Sequence, residues 1–349
     1  MENEIPNMSY DERTDEEKIY YLKLAGKILY EVHEEIRPMV KPGTRIIDIC
    51  TAAEKLIYEK NARMSFPVNV SINNIAAHYT SPKDDENVIP EGSIVKLDMG
   101  THIDGFIADK AETYCFNEEY KDLREAVLEA WNAGMELIRP GNETSMVGVA
   151  VEDTIKKYNY LPIRELSGHQ VERYRLHGAK SLPNVRMPFG KANSILEKDE
   201  SYAFEVFATT GSGSIKSVKP KTYIYMLAPH KTPLRSRASK SIRNFMFREY
   251  STLPFAERWL MDNPEFNPGR VRLTLNELVR NGGLYEYSVL AEQEKDAMIA
   301  QYENTFIVTE EGYYVTTMPP FDILKPESVK EREEKAEEQV EEPSKATEE

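Results

Sequence analysis

Behind Thr14, which stands three residues before Glu17 as in a capping box, the apolar residues Tyr20, Leu24, Ile28 and Val32 recur every four positions and fade before Pro38. That period predicts an amphipathic helix. The Pro42-Gly43 turn opens a second helix, with Ile46, Ile49, Ala53 and Ile57 on one face. The pattern then returns. A helix through Leu123, Val127, Trp131 and Leu137 runs into Pro140-Gly141, and another carries Val147, Val151 and Ile155. At an offset of 98 residues Pro42-Gly43 aligns with Pro140-Gly141, Glu54 with Glu152 and Ile57 with Ile155. Each helix pair leads into a β-rich stretch with a histidine, His78 in one and His177 in the other. The shared Pro-Gly register predicts a duplicated unit of two helices and a sheet.

The segment SIVKLDMGTHIDGFIADKAETYCF alternates as a hairpin does, with Asp104-Gly105 as a two-residue type I′ turn. Closing that turn pairs Ile103 with Phe106, placing Asp98 opposite Ala111 and Gly100 opposite Asp109. Asp98 and Asp109 then share one face as diagonal neighbours, with Cβ atoms up to ~7–8 Å apart. Around them Ile94, Val95, Leu97, Ile107 and Ala108 read as buried. A buried carboxylate pair needs a metal or a shared proton. Further acceptors lie in apolar contexts: Glu205 in mid-strand in SYAFEVFATTG, Glu303 just ahead of an expected strand at 304–308, and His169 in ELSGHQVERY. Singly, each has an ordinary structural explanation. Together they make an oxygen-rich site with one imidazole, suited to two hard or borderline divalent ions.

Composition bounds the alternatives. The 349 residues carry 59 Asp+Glu against 44 Lys+Arg, a net charge of −15, which argues against coating nucleic acid by bulk charge. Hydrophobic residues make up 40%, enough for a sizeable core. Two cysteines, Cys50 and Cys115, make neither a disulfide framework nor a Cys-rich zinc site. No apolar run approaches the ~18 residues of a membrane helix. The acidic N-terminus is unlike a signal peptide, so the expectation is a soluble cytoplasmic protein with no membrane partner. Residues 206–248 reverse the acidic trend, with nine Lys or Arg and no acid. A helical segment through Leu253, Phe255, Trp259 and Leu260 is expected next, then a helix in VRLTLNELVRNGGLYEY ended by Gly282-Gly283.

These features meet in one family. The segments FPVNVSINNIAAHYT (66–80), KLDMGTHIDGFIAD (96–109), LSGHQVERYRLHGAKSLPN (166–184), YAFEVFATTGSG (202–213), TLPFAERWL (252–260) and AQYENTFIV (300–308) closely resemble the type 2 methionine aminopeptidases, especially the short archaeal form. The resemblance spans about residues 12–320. It implies the α/β pita-bread (creatinase/aminopeptidase) fold, built from two related halves, which agrees with the repeat. The implied division is a polar lead at 1–12, a catalytic domain at 13–215 and 290–323, a basic stretch and helical, winged-helix-like insert at 216–289, and an acidic disordered or solvated helical tail at 324–349.

By the same resemblance, Asp98, Asp109, His169, Glu205 and Glu303 are the ligands of two divalent ions (Co, Mn, Fe or Zn), with Asp109 and Glu303 bridging. The implied reaction is removal of the initiator methionine from nascent polypeptide N-termini when the second residue is small. Water activated between the ions attacks the first peptide bond, with Glu205 shuttling the proton. His78 and His177 would hydrogen-bond the substrate or its tetrahedral intermediate, and Phe66 would line the methionine pocket. Three positions depart from the family pattern: Lys110 stands where Thr is typical, Asn304 where His is usual, and His177-Gly178-Ala179-Lys180 replaces the common HAGK order. Each lies beside the ligand or substrate residues, where neighbours tune metal affinity. An Xaa-Pro peptidase of the same fold would use the same five ligands, and a non-catalytic ribosome- or RNA-binding relative is the reading from another class. The helical insert and FPVNVSINNIAAHYT argue against the first, and the presence of all five ligands against the second. The basic run at 216–248 suits a transient ribosome contact as well as an ordinary solvated surface. The chain is expected to be a monomer.

Overall fold

The computed structural model describes residues 13–188, 193–230, 232–234, 236–332 and 334. The expected lead at 1–12 and the tail beyond 334 lie outside these. The first half holds helices α1 (Asp15–Ile36) and α2 (Ile46–Glu59), then strands β1 (Arg63–Ile72), β2 (Ile75–Ala77), β3 (Ile94–Ile103) and β4 (Phe106–Cys115). The second half repeats the theme with α3 (Lys121–Met135), α4 (Thr144–Lys157), β5 (Leu161–Pro162), β6 (Ser167–Val171), β7 (Ser181–Pro183) and β8 (Ser201–Thr209). The remainder is β9 (Ile215–Leu227), α5 (Arg237–Tyr250), β10 (Phe255–Ala256), α6 (Glu257–Met261), α7 (Pro268–Arg280), β11 (Leu284–Glu292), β12 (Ile299–Val308) and β13 (Tyr313–Val315).

The repeat is exact to the residue at one helix pair. Both ends of α4 lie 98 residues beyond those of α2. Each helix follows a turn glycine at positive φ, Gly43 at 85° and Gly141 at 88°, a conformation that a side chain disfavours. Both turns are tied down alike: Gly43 N–H donates to Ile89 O and Ile46 N–H to Asn87 O, while Gly141 N–H donates to Leu196 O and Thr144 N–H to Ser194 O. Helix α1 begins with the expected capping box, Glu17 N–H to Thr14 Oγ1 and Thr14 N–H to Glu17 Oε2.

Among the described residues, nine strands form one sheet in the order β1-β3-β4-β12-β8-β6-β7, with β13 on β12 and β5 on β8. Helices α1 and α2 pack on the β1/β3 side around Leu29, Val32, Ile49, Ile57, Val68 and Leu97, all buried. Helices α3 and α4 pack on the β8/β12 side around Leu123, Val127, Val151, Phe204 and Phe306. Strands β4 and β12 meet in the middle and join the halves. A second sheet, β10-β9-β11-β2, closes over the other side.

The structure corrects three expectations. Leu253 and Phe255 are not helical: Phe255–Ala256 is a strand, and the helix after it runs only Glu257–Met261. The stretch expected as a basic run and helical insert at 216–289 begins and ends in long strands, β9 and β11, which pair with each other, and its helices lie within Arg237–Arg280. The tail expected to be disordered or a solvated helix is helical at 327–332, but it is packed at one point: Val329 is fully buried, and Arg332 pairs with Glu17 at 3.1 Å. One buried ion pair fastens the insert. Arg258 of α6 makes a bidentate bridge to Glu54 of α2 at 2.8 and 2.9 Å, and its Nε donates to Ser81 O.

Candidate metal centre

The hairpin closes as its sequence predicts. Asp104 and Gly105 have φ of 51° and 85°, Ile103 pairs with Phe106, Asp98 with Ala111 and Gly100 with Asp109. Sheet register then assembles the site. Asn69, Asp98, Ala111, Glu303 and Glu205 stand opposite one another across β1, β3, β4, β12 and β8. Side chains two residues apart on a strand share a face. That rule adds Asp109 beside Ala111, and also His169, which pairs with Ala203, two residues from Glu205. Glu303 corrects the reading that put it ahead of a strand: β12 starts at Ile299, so Glu303 sits at mid-strand. Gly100 is required by its neighbours, since a Cβ there would fall 2.2 Å from Phe66 Cε1.

All eight residues singled out in the sequence (Phe66, His78, Asp98, Asp109, His169, His177, Glu205 and Glu303) line one cleft of ≈ 360 Å³. Ligand atoms of Asp109, His169 and Glu303 all lie within 4.8 Å of one another and could hold a metal ion. His169 Nε2 is 3.9 Å from Asp109 Oδ2. Among the described residues, Asp98 Oδ1, Asp109 Oδ1 and Glu303 Oε1 are buried without a hydrogen-bond partner. Burial pushes the Asp98 carboxyl up to about 7. Burial first, then repulsion from Asp98 and Glu205, raises Asp109 well above the usual carboxylate range. Glu205 is raised by burial and Asp98, and Glu303 by burial and the charges of Asp109, Glu205 and Asp98. Burial lowers His169 to about 3. Four carboxylates that oppose one another's ionisation, beside a neutral imidazole, form a site whose charged state needs cations.

Three further residues belong to this cleft region and escaped the sequence reading. Gln301 Nε2 donates to Glu303 Oε2 at 3.0 Å. Tyr287 of β11 lines the cleft, with its ring 5.3 Å from that of His78 and 6.2 Å from that of His177. Lys96, two residues before Asp98, is fully buried and donates to Asn73 O at 2.7 Å. A lysine inside the apolar run SIVKLDMG was the available signal for the last. His78 has φ of 65° and its Nδ1 lies 3.2 Å from Ser288 O, while the rings of His169 and His177 are 4.4 Å apart. The two departures at 110 and 304 touch each other: Lys110 Nζ donates to Asn304 Oδ1 at 3.0 Å on the opposite face of the sheet and also pairs with Glu112 at 3.1 Å.

The profile of metallopeptidase family M24 matches residues 21–310. The chain belongs to metallopeptidase family M24. The methionine aminopeptidase of Thermococcus onnurineus (strain NA1) is 42% identical to this M24 chain over 295 residues, 84% of this chain and 97% of the relative. Among solved structures, a thermophilic Arx1 superposes with a TM-score of 0.74 at 20% identity, over 90% of the M24 chain and 96% of its own. The methionine aminopeptidase of Thermotoga maritima superposes with a TM-score of 0.63 at 20% identity, over 88% and 98%. At such identity these two speak to the fold alone, the two-halved pita-bread architecture of the M24 family.

Proposed function

We propose that this chain is a metal-dependent aminopeptidase that removes the initiator methionine from nascent polypeptides when the second residue is small. The observation that carries this reading is the floor of the cleft, where four carboxylates and an imidazole converge with carboxylate oxygens buried and unpaired. The 42% identity to a methionine aminopeptidase over 84% of the chain supports the substrate class. Asp98, Asp109, His169, Glu205 and Glu303 would hold two divalent ions (Co, Mn, Fe or Zn). When bound, such ions polarise the scissile carbonyl and make a water acidic near neutral pH.

The chain's own residues do the rest. Glu205 would take the proton from the attacking water and deliver it to the leaving nitrogen, a carboxylate within the cleft being able to do both. Burial holds His78 neutral, with a pKa lowered to about 4. With Nδ1–H donated to Ser288 O, its Nε2 is left as an acceptor for a substrate N–H. His177, whose ring also lies against Tyr287, would bond the same part of the substrate. Phe66 and Leu176, packed in one apolar cluster beside the carboxylates, would receive the methionine side chain.

The test is metal-free protein reconstituted with Mn(II) or Co(II) and offered Met-Ala-Ser and a matched Xaa-Pro peptide. Methionine released from the first alone is the expected result. Cleavage of the second alone would favour an Xaa-Pro peptidase, and no turnover by folded, loaded protein would favour a binding protein.

We also propose that the basic 216–248 stretch makes a transient contact with ribosomal RNA. Lys219, Lys221, Arg237 and Lys240 are exposed, and none pairs with a carboxylate among the described residues. Phosphate contacts by such cations are independent of sequence and sensitive to salt. Reversing Lys231, Arg235, Arg237 and Lys240 to Glu is expected to weaken ribosome co-sedimentation and spare cleavage of a free peptide; Lys231 and Arg235 lie outside the described residues. Unchanged co-sedimentation sinks this contact.

A further inference from the structure

The strands that carry Asp109 and Glu303 are joined unlike their neighbours. Strands β3 and β4 pair along ten positions, from Ile94↔Cys115 to Ile103↔Phe106, and β12 and β8 along nine, from Ile299↔Thr209 to Ile307↔Ser201. Between β4 and β12 the register holds only Glu303↔Ala111 and Asn304↔Lys110. On either side of that short ladder a threonine hydroxyl stands in for a backbone partner. Thr305 Oγ1 accepts from Asp109 N–H at 2.7 Å and donates to Asp109 O at 2.8 Å. Thr113 Oγ1 accepts from Gln301 N–H at 2.8 Å and donates to Gln301 O at 2.7 Å.

The two clips are related by the symmetry of the fold. Thr305 lies two residues beyond Glu303, and Thr113 two beyond the Ala111 opposite it. Thr305 is fully buried and Thr113 nearly so. A hydroxyl has one proton and two lone pairs, so each threonine satisfies both backbone groups of the facing residue where direct bonds are missing. Each clip also ends on a carboxylate of the cleft. The backbone held by Thr305 is that of Asp109 itself. The backbone held by Thr113 is that of Gln301, whose side chain donates to Glu303 Oε2.

We propose that Thr305 and Thr113 are positioning residues that set the separation of the Asp109 and Glu303 carboxylates, and through it the affinity of the site for its ions. This rests on the reading of the cleft as a metal centre. A valine is nearly isosteric with threonine but can neither accept nor donate, whereas a serine keeps the hydroxyl. In Thr305→Val the Asp109 N–H and O both lose their partner, so the carboxylate is free to shift.

The experiment titrates Mn(II) into metal-free wild-type, T305V, T305S, T113V and T113S proteins by calorimetry, with thermal unfolding of the metal-free forms alongside. The expected result is a 10- to 100-fold loss of affinity in each valine variant, the range typical of groups that orient metal ligands, with recovery to within about threefold of wild type in each serine variant. A role confined to stability would lower the unfolding temperature and leave the affinity of the folded protein unchanged. That outcome overturns the proposal, as does a serine variant as weak as its valine counterpart. If T305V does not fold, T113V, which acts from the far end of the seam, carries the same test. Wild-type protein that binds no Mn(II) or Co(II) would refute the metal centre itself, a result distinct from equal affinity across the series.

Discussion

Replacing Arg258 by methionine should weaken the hold of the helical insert on the body of the protein and so lower its stability. Arg258 is 4% exposed and its guanidinium forks onto Glu54, itself 8% exposed, with both bonds under 3 Å, while its Nε donates to Ser81 O. Removing one partner of a buried pair costs roughly 3–5 kcal/mol, because the other charge is stranded. A cavity of ≈ 400 Å³ borders both residues, so water can reach the stranded Glu54 carboxylate. That places the expected loss near the lower bound, about 3 kcal/mol. Against a total stability on the order of 5–15 kcal/mol this is a large fraction. Urea denaturation of wild-type, R258M, E54M and E54M/R258M proteins, followed by tryptophan fluorescence, closes the cycle. The double variant should recover most of the loss, since apolar replacement of a whole buried pair is often neutral. An R258M protein within about 1 kcal/mol of wild type, or a double variant as unstable as the two single losses combined, would refute the reasoning.

Because burial and mutual repulsion raise the cleft carboxylates, the folded metal-free protein holds protons that the unfolded chain does not. For Asp98 the resulting penalty is absent below its unfolded pKa near 3.8 and complete above about 7. Mn(II) binding at pH 6 should therefore release protons, fewer as pH is raised past 7, and calorimetry in buffers of different ionisation enthalpy measures this; no release at pH 6 contradicts the assigned ligands. Lys110→Met leaves Asn304 Oδ1 its bond from Thr317 and Glu112 its pairing with Arg37. Its expected cost is therefore about 2 kcal/mol, read as a fall of about 3 °C in the unfolding temperature of metal-free protein, given the entropy of unfolding of a chain this long. An unchanged temperature would show that the pair contributes nothing. Glu205→Gln should lower kcat by about 10²–10⁴-fold while the protein stays folded, and near-normal turnover would remove Glu205 from the proton path.

The legible parts of the site were those where one face of a strand is apolar. The Asp98–Asp109 hairpin could be placed to the residue because Val95, Leu97 and Met99 alternate with Lys96, Asp98 and Gly100 ahead of a turn that only a few dipeptides make. Strand β12 begins five residues ahead of its expected start for the opposite reason. Gln301 and Glu303 face the cleft while Asn304 faces the Lys110 network, so polar residues occupy both faces and no period of two survives. Strand β9 carries exposed Lys216, Lys219 and Lys221 and so read as basic surface rather than sheet. Helix α5 was hidden within the same basic run, its inward side held by Ile242 and Met246. Val329 is a single apolar residue in an acidic run, too little to predict that the tail's first turn packs. Tyr287 reaches the cleft through the pairing of β11 with β2 and β9, a long-range contact that no local pattern encodes.

Asp109 and Thr305 are 196 residues apart in the chain. Synthesis therefore delivers the Asp98–Asp109 hairpin long before the strand that completes the cleft, and until then its two carboxylates only repel each other. Closing so distant a contact is entropically demanding and belongs late on the folding path. Divalent ions would thus have little purchase on partly folded chains. Their capture would mark the arrival of β12, and stopped-flow refolding in the presence of Co(II) should show the metal's absorption band rising with the last phase of native fluorescence rather than ahead of it.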